Sequence, residues 1–284
     1  MTDTLPTAAA AYEKADQLPG DVRAPLRDLV LALADSKRVL GLRYSDRMLG
    51  SPTLEAGIAA SSMAQDEWGH ARLTYALLGD LGDDPKALEH ERPAAGYRSM
   101  DALDAGLEGW HGMIAASLLL DMALTAQYAA LVESRYTPVR NRVQKLLDEE
   151  KFHFQYAAGW ARRIARVPEL RAGLAAELGR VLPRALRWLG RDDAPGMRRL
   201  VEEGIVRDLP SDRRGRFLAR VGAVLEEIGL ASEVGVARDG ERWRYDGELD
   251  WAGWDDATRR AGGSLDEATA ARARGDLNRA LLLD

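Results

Sequence analysis

The chain contains no cysteine, so disulfides, thiolate zinc sites, iron–sulfur ligation and a thiol nucleophile are all excluded. Aromatic residues make up only 6% of its 284 positions. The core must therefore be mainly aliphatic, and the abundance of Ala and Leu favours helix. Alternating runs of the strand type are missing, and apolar positions recur at helical spacing almost throughout. No apolar run approaches the ~20 residues of a membrane span. Met1 to Ala11 holds no basic stretch followed by an apolar core, so no signal peptide is expected there. An excess of positive charge is missing too. The net charge of -6 argues against nucleic acid as a partner, and basic stretches such as Arg213-Arg214-Gly215-Arg216 read as solvated helix ends. A cytoplasmic protein without nucleic-acid or membrane partners is expected.

What is present is helical periodicity in long segments. A first helix is expected from about Arg23 to Leu49, stopped by Gly50-Ser51-Pro52. A second runs from about Thr53 to Leu81, a third from Met100 to Ser134, and Thr137-Pro138 starts a fourth that reaches Ala165. Helices of this length suit a bundle whose members run its full height. Further helices fill Pro168 to Leu230. Ala231 to Gly263, with Trp243, Tyr245, Trp251 and Trp254 among Asp and Gly, reads as an ordered loop that packs on its own bundle or on a partner. A last helix is expected from Leu265 to Leu282. The organisation is then an N-terminal segment, 1–22; a four-helix core, 23–165; and C-terminal helices with the Trp-rich loop, 166–284, packed on the same domain.

The chemistry concentrates on two helices. The second carries Asp66-Glu67-Trp68-Gly69-His70 and the fourth Glu149-Glu150-Lys151-Phe152-His153. In each, Glu and His stand at i and i+3 and project from one face. Each pair lies on a stripe of apolar residues, where a carboxylate is costly unless something compensates it. Asp121 sits alone in the apolar run Ala115 to Leu124 and needs a partner for the same reason. Carboxylate-bridged di-iron bundles take two Glu-x-x-His motifs and two further carboxylates, which gives a metal set of Glu67, His70, Asp121, Glu150 and His153. The plain structural alternative is a buried Glu–His pair held by hydrogen bonds without metal. A third copy of the motif, Glu108 and His111, lies roughly 15 Å along the helix from Asp121 and reads as a surface coincidence. On the first helix the expected core stripe is Leu31, Asp35, Arg38, Leu42, Ser45, Leu49. Asp35 is the available sixth ligand. Arg38, one turn on, would repel metal ions, or could replace them among Glu67, Asp121 and Glu150. No catalytic acid, base or nucleophile can be assigned.

From Met63 to Leu73, at Asp121 and at Glu150 and His153, the chain resembles the catalytic ferritin-like subunit of the bacterial phenylacetyl-CoA ring-epoxidising monooxygenase. Its flanks, Leu33-Ala34-Asp35 leading into Val39 to Ser45 and Ala157-Ala158-Gly159-Trp160, resemble that family's structural subunit. The position matching the catalytic subunit's first-helix Glu is Arg38. The resemblance implies an all-α, ferritin-like four-helix bundle with additional C-terminal helices. It implies a di-iron cofactor if the chain is catalytic and none if it is a scaffold. It further implies partnership with other ferritin-like subunits, a separate NADPH-dependent reductase and a CoA-thioester substrate of the complex. A stand-alone ferritin-like oxidase or metal-storage protein is the remaining alternative.

Overall fold

The computed structural model describes residues 10–276. The start of the N-terminal segment, 1–9, and the end of the expected last helix, 277–282, lie outside the described residues. The protein is an all-α bundle of the ferritin-like kind, with one small two-stranded sheet among the described residues.

Helix α1 (Gly20–Ser45) and helix α2 (Leu54–Asp80) make the most extensive contact in the molecule. The intervening turn is short, so the two run antiparallel. Thr53 caps α2 by accepting a hydrogen bond from the Ala56 amide at 3.2 Å. Every residue of α1 from Leu29 to Lys37 is buried, followed by Val39 to Tyr44. This helix is covered all round rather than amphipathic, which is the signature of a central element. Gly41 lets it approach α2. A Cβ there would lie 2.7 Å from the Trp68 ring and 2.9 Å from the Ala64 carbonyl oxygen.

Helix α3 (Pro85–His90) follows α2. The expected long third helix is shorter and broken: residues before Glu108 form turns, and α4 (Gly109–Ala115) runs through a π-helical segment, Ala116–Asp121, into α5 (Met122–Ala129). The stretch Gly109–Ala129 is long and apolar enough to cross a membrane, contrary to the sequence-based expectation. It is the central helix of this bundle, with 89% of its most apolar window buried. Helix α6 (Thr137–Ala165) starts and ends as expected. It buries one stripe: Val139, Val143, Leu146, Glu150, His153, Ala157, Ala161 and Ile164.

The remaining elements wrap this core. Helix α7 (Pro168–Trp188) packs on α4, the π segment and α6; α8 (Pro195–Glu202) on α1; α9 (Pro210–Glu227) on α5. The Trp-rich stretch is not all loop. Strands β1 (Val236–Asp239) and β2 (Arg242–Tyr245) pair antiparallel, with Gly240 at φ 61° in the two-residue turn. The pattern is four residues long per strand, too brief to register as alternation. Trp243 packs on Gly222 of α9 so closely that a Cβ there would lie 2.5 Å from the ring. Trp251 and Trp254 meet edge-on at 5.4 Å, so these rings are half-buried against their own chain. Helix α10 (Glu267–Arg274) closes on α1 and α3.

The close approach at Gly41 is testable. Gly41→Ala should destabilise the protein in urea by about 1–3 kcal/mol through overpacking. Gly69→Ala, where an added Cβ meets nothing within 4 Å on the open face of α2, should instead stabilise it by up to ~1 kcal/mol. Equal effects would mean the α1–α2 spacing is not set by Gly41.

Candidate functional site

The four long elements converge on one group of buried charges. Glu67 and His70 come from α2, Asp121 from the end of the π segment, and Glu150 and His153 from α6. The i, i+3 spacing places each Glu and His on the buried stripe of its helix. The π segment adds a residue to its turn and so rotates Asp121 inward from a helix that otherwise presents Leu and Ala. All five residues are at most 2% exposed.

Between the carboxylates stands an ammonium. Lys37 of α1, fully buried, donates to Glu67 Oε1 at 3.0 Å, Asp121 Oδ1 at 2.7 Å and Glu150 Oε1 at 2.5 Å. Its three protons are thereby matched to three acceptors. Burial alone would lower the Lys37 pKa. The carboxylates of Asp121, Glu150 and Glu67 outweigh this and hold it well above its usual value. Burial would raise Asp121, but Lys37 first and His153 next hold its carboxyl well below the usual range. Glu67 goes the other way, pushed up to about 7 by burial and by the Asp121 charge.

Two histidines connect this cluster to the surface. His153 Nδ1 lies 3.0 Å from Asp121 Oδ2 and 3.2 Å from Glu67 Oε1, and its Nε2 lies 3.2 Å from Asp66 at the rim. His70 Nε2 bonds rim Glu149 at 2.7 Å, while its Nδ1 sits 3.0 Å from Glu150 without hydrogen-bond alignment. Asp66 and Glu149 are 44% and 40% exposed in their side chains, so each imidazole joins a buried carboxylate to a wet one. Tyr44 donates to Asp121 Oδ2 at 3.2 Å, and Thr125 to Glu150 Oε2 at 3.1 Å. With both histidines protonated, one ammonium and two imidazoliums face three buried carboxylates.

The first-helix expectations are corrected. Arg38 points away from the site: its Nε donates to the Ala273 carbonyl at 2.7 Å and its Nη1 lies 3.1 Å from Glu89. Asp35 is buried elsewhere, where it accepts from Tyr75 at 2.5 Å, from the Arg98 amide at 2.7 Å and from both terminal nitrogens of Arg92. These bonds commit its oxygens away from Glu67. The cation sought at Arg38 is supplied one residue earlier, by Lys37. Leu49, expected on the core stripe, is 93% exposed. His111 is half-buried against Gly173 of α7 rather than lying on the surface. The signal for Lys37 was present: Leu33, Lys37, Leu40 and Tyr44 form an apolar stripe at helical spacing. Because α1 is buried all round, several stripes looked equally core-like.

A family model for the phenylacetic acid catabolic proteins matches residues 1–269. The chain belongs to this family. It matches no curated protein. As a phenylacetic acid catabolic protein it carries four ligand-type side chains, Glu67, Asp121, Glu150 and His153, whose donor atoms lie within 4.8 Å of one another and can hold a metal ion. The same oxygens, however, already accept from Lys37, whose ammonium fills the space between them. Metal and ammonium compete for one set of lone pairs, and no first-helix carboxylate joins the set. As built, the site fits a fixed organic cation better than a di-iron centre.

Two outcomes follow from this charge arrangement. Lys37→Met keeps the side-chain volume but strands three buried carboxylates, and should cost about 3–5 kcal/mol at neutral pH. The loss should shrink toward pH 5 as carboxyls protonate. A neutral effect in urea unfolding would mean Lys37 is not their compensating charge. The second concerns His153. Burial would lower its pKa, but hydrogen bonds to Asp121, Asp66 and Glu67 raise it far above 6.5. A raised native pKa contributes stability that is complete below the unfolded pKa and lost as pH rises above it. Wild type should therefore lose up to about 1.4 kcal/mol per pH unit from this group above pH ~6.5. In His153→Gln the dependence between pH 6.5 and 9 should flatten, as read by thermal melting; parallel curves would contradict the protonated histidine.

Proposed function

We propose that this phenylacetic acid catabolic protein is a non-catalytic, structural subunit of a multicomponent, cytoplasmic phenylacetyl-CoA epoxidase. In that role it would hold a second ferritin-like subunit that carries the di-iron chemistry, with a separate reductase supplying electrons. The observation that carries this reading is the Lys37 ammonium bonded to Glu67, Asp121 and Glu150. An arginine or lysine at a metal's place gives the buried carboxylates their compensation without offering open coordination positions for dioxygen. The bundle keeps its ligand-type residues because removing them would leave Lys37 uncompensated. Support for a partner comes from large apolar side chains left in solvent. Leu49, Leu54 and Ile58 are 93%, 77% and 59% exposed around the α1–α2 turn, and Phe152 of α6 is 71% exposed. The second reading, a chain with its own iron centre, is favoured by the four donors within 4.8 Å.

Elemental analysis after anaerobic iron loading separates the two. The parent should hold well below one iron per chain, while Lys37→Ala and Lys37→Glu, checked for helicity, should bind more than the parent. Two irons in the parent would establish the catalytic reading instead. Co-expression with a second ferritin-like subunit followed by size-exclusion chromatography should give a shared peak; elution of this chain alone at all salt concentrations would remove the subunit role.

A further inference from the structure

Another buried cation lies far along the chain from the Lys37 cluster, and it has no direct ion-pair partner, although the Asp256 charge acts on it from farther off. Arg259 is 5% exposed, yet no carboxylate lies within ion-pair distance of it among the described residues. Its Nη2 donates to the Trp188 carbonyl, its guanidinium lies 4.8 Å above the Trp188 ring, and its Nε has no hydrogen-bond partner. A buried charge in this state is costly unless something compensates it. The backbone adds to the cost. Arg259 holds φ at 56°, and it is the one residue other than glycine in the left-handed region among the described residues. Gly190, at φ 92°, makes room for the group: a Cβ there would lie 3.1 Å from Nη2.

Arg259 borders a cavity of about 210 Å³ between α1, the start of α8 and the 255–260 turn. Its other walls are mostly apolar, with Pro25, Leu29, Met197 and Leu200 among them. Two acids also reach it, but each is already engaged. Asp28 accepts from Arg98 at 2.5 Å, and Asp256 from Arg191 at 2.7 Å and from the Trp254 indole at 2.8 Å. Two further cations stand close by, Arg213 paired with Asp208 at 3.2 Å and Arg214 lying 3.7 Å from Asp192. Arg214 bonds the Gly190 carbonyl and Arg213 sits 3.1 Å from the Met197 sulfur. The first turn of α8, at Gly196 and Met197, also lines the space, and first-turn amides lack intrahelical acceptors.

We propose that this cavity binds a small organic carboxylate with an apolar body. The carboxylate pairs with Arg259 near the first turn of α8, and the apolar body rests on Pro25, Leu29 and Met197. A bare oxyanion would leave those walls unsatisfied, and a neutral apolar molecule would leave Arg259 without a direct counter-charge. This site is separate from the Lys37 cluster and independent of whether the chain binds iron.

The acid for which the family is named supplies the probe. Isothermal titration calorimetry of the full chain should show phenylacetate binding at one site, with acetate and the uncharged phenylacetamide each weaker by about tenfold or more. Arg259→Gln should abolish or weaken phenylacetate binding by a similar factor. Because that variant alters the residue at the strained turn, Ala24→Trp, which blocks the mouth from the exposed side of α1, is the companion; it should weaken binding while circular dichroism stays unchanged. Inorganic phosphate binding more tightly than phenylacetate would replace the organic acid with a simple oxyanion and overturn the proposal. Absence of phenylacetate binding, or binding unaffected in both variants, would also overturn it.

Discussion

Three carboxylates from three helices share one ammonium from a fourth. That contact fixes how α1, α2, the π segment and α6 can pack, since each supplies a charge that is intolerable alone. Hydrophobic burial brings such helices together without choosing among registers. A ring of hydrogen bonds between 2.5 and 3.0 Å around Lys37 Nζ does choose, because sliding any helix by one turn would strand a buried charge. Whether such a cluster adds net stability over an apolar core is a separate matter. What it supplies here is registration.

The same reasoning explains why a fold that can hold a metal ion keeps its ligand-type residues beside a lysine. A metal site is a concentration of negative charge awaiting a cation, and the protein can furnish that cation itself. The exchange carries a chemical consequence. An ammonium satisfies charge and hydrogen bonds but offers no vacant coordination position, so on the structural-subunit reading proposed above it keeps the architecture of the site in place of a metal.

Much of this was legible in the sequence, and the parts that were not share a cause. The start of α6 and the cap of α2 are written in Thr137-Pro138 and Thr53, where local chemistry decides. Glu67, His70, Asp121, Glu150 and His153 stood out because polar residues on an apolar stripe are conspicuous. Lys37 did not, because α1 is buried on every side and has no unique inward stripe. Asp35 and Arg38 are each half of a long-range pair, with Arg92 and with Glu89, and such partners cannot be read from helical spacing. The hairpin at 236–245 was missed because four-residue strands leave too few alternations, and the break before Gly109 because Met100, Leu103 and Leu107 keep a helix-like spacing through it.

The π segment that turns Asp121 inward has a consequence at the level of the gene. One turn of Ala116–Asp121 carries one residue more than an α-helix needs. Removing a single codon there would restore plain α geometry with α4 and α5 nearly in place, yet the residues left in the turn would each be rephased by up to roughly 100°. Every ligand-type residue would still be encoded, but Asp121 would lose the local turn that aims it at Lys37. The number of residues in this turn, as much as any side chain, is under constraint.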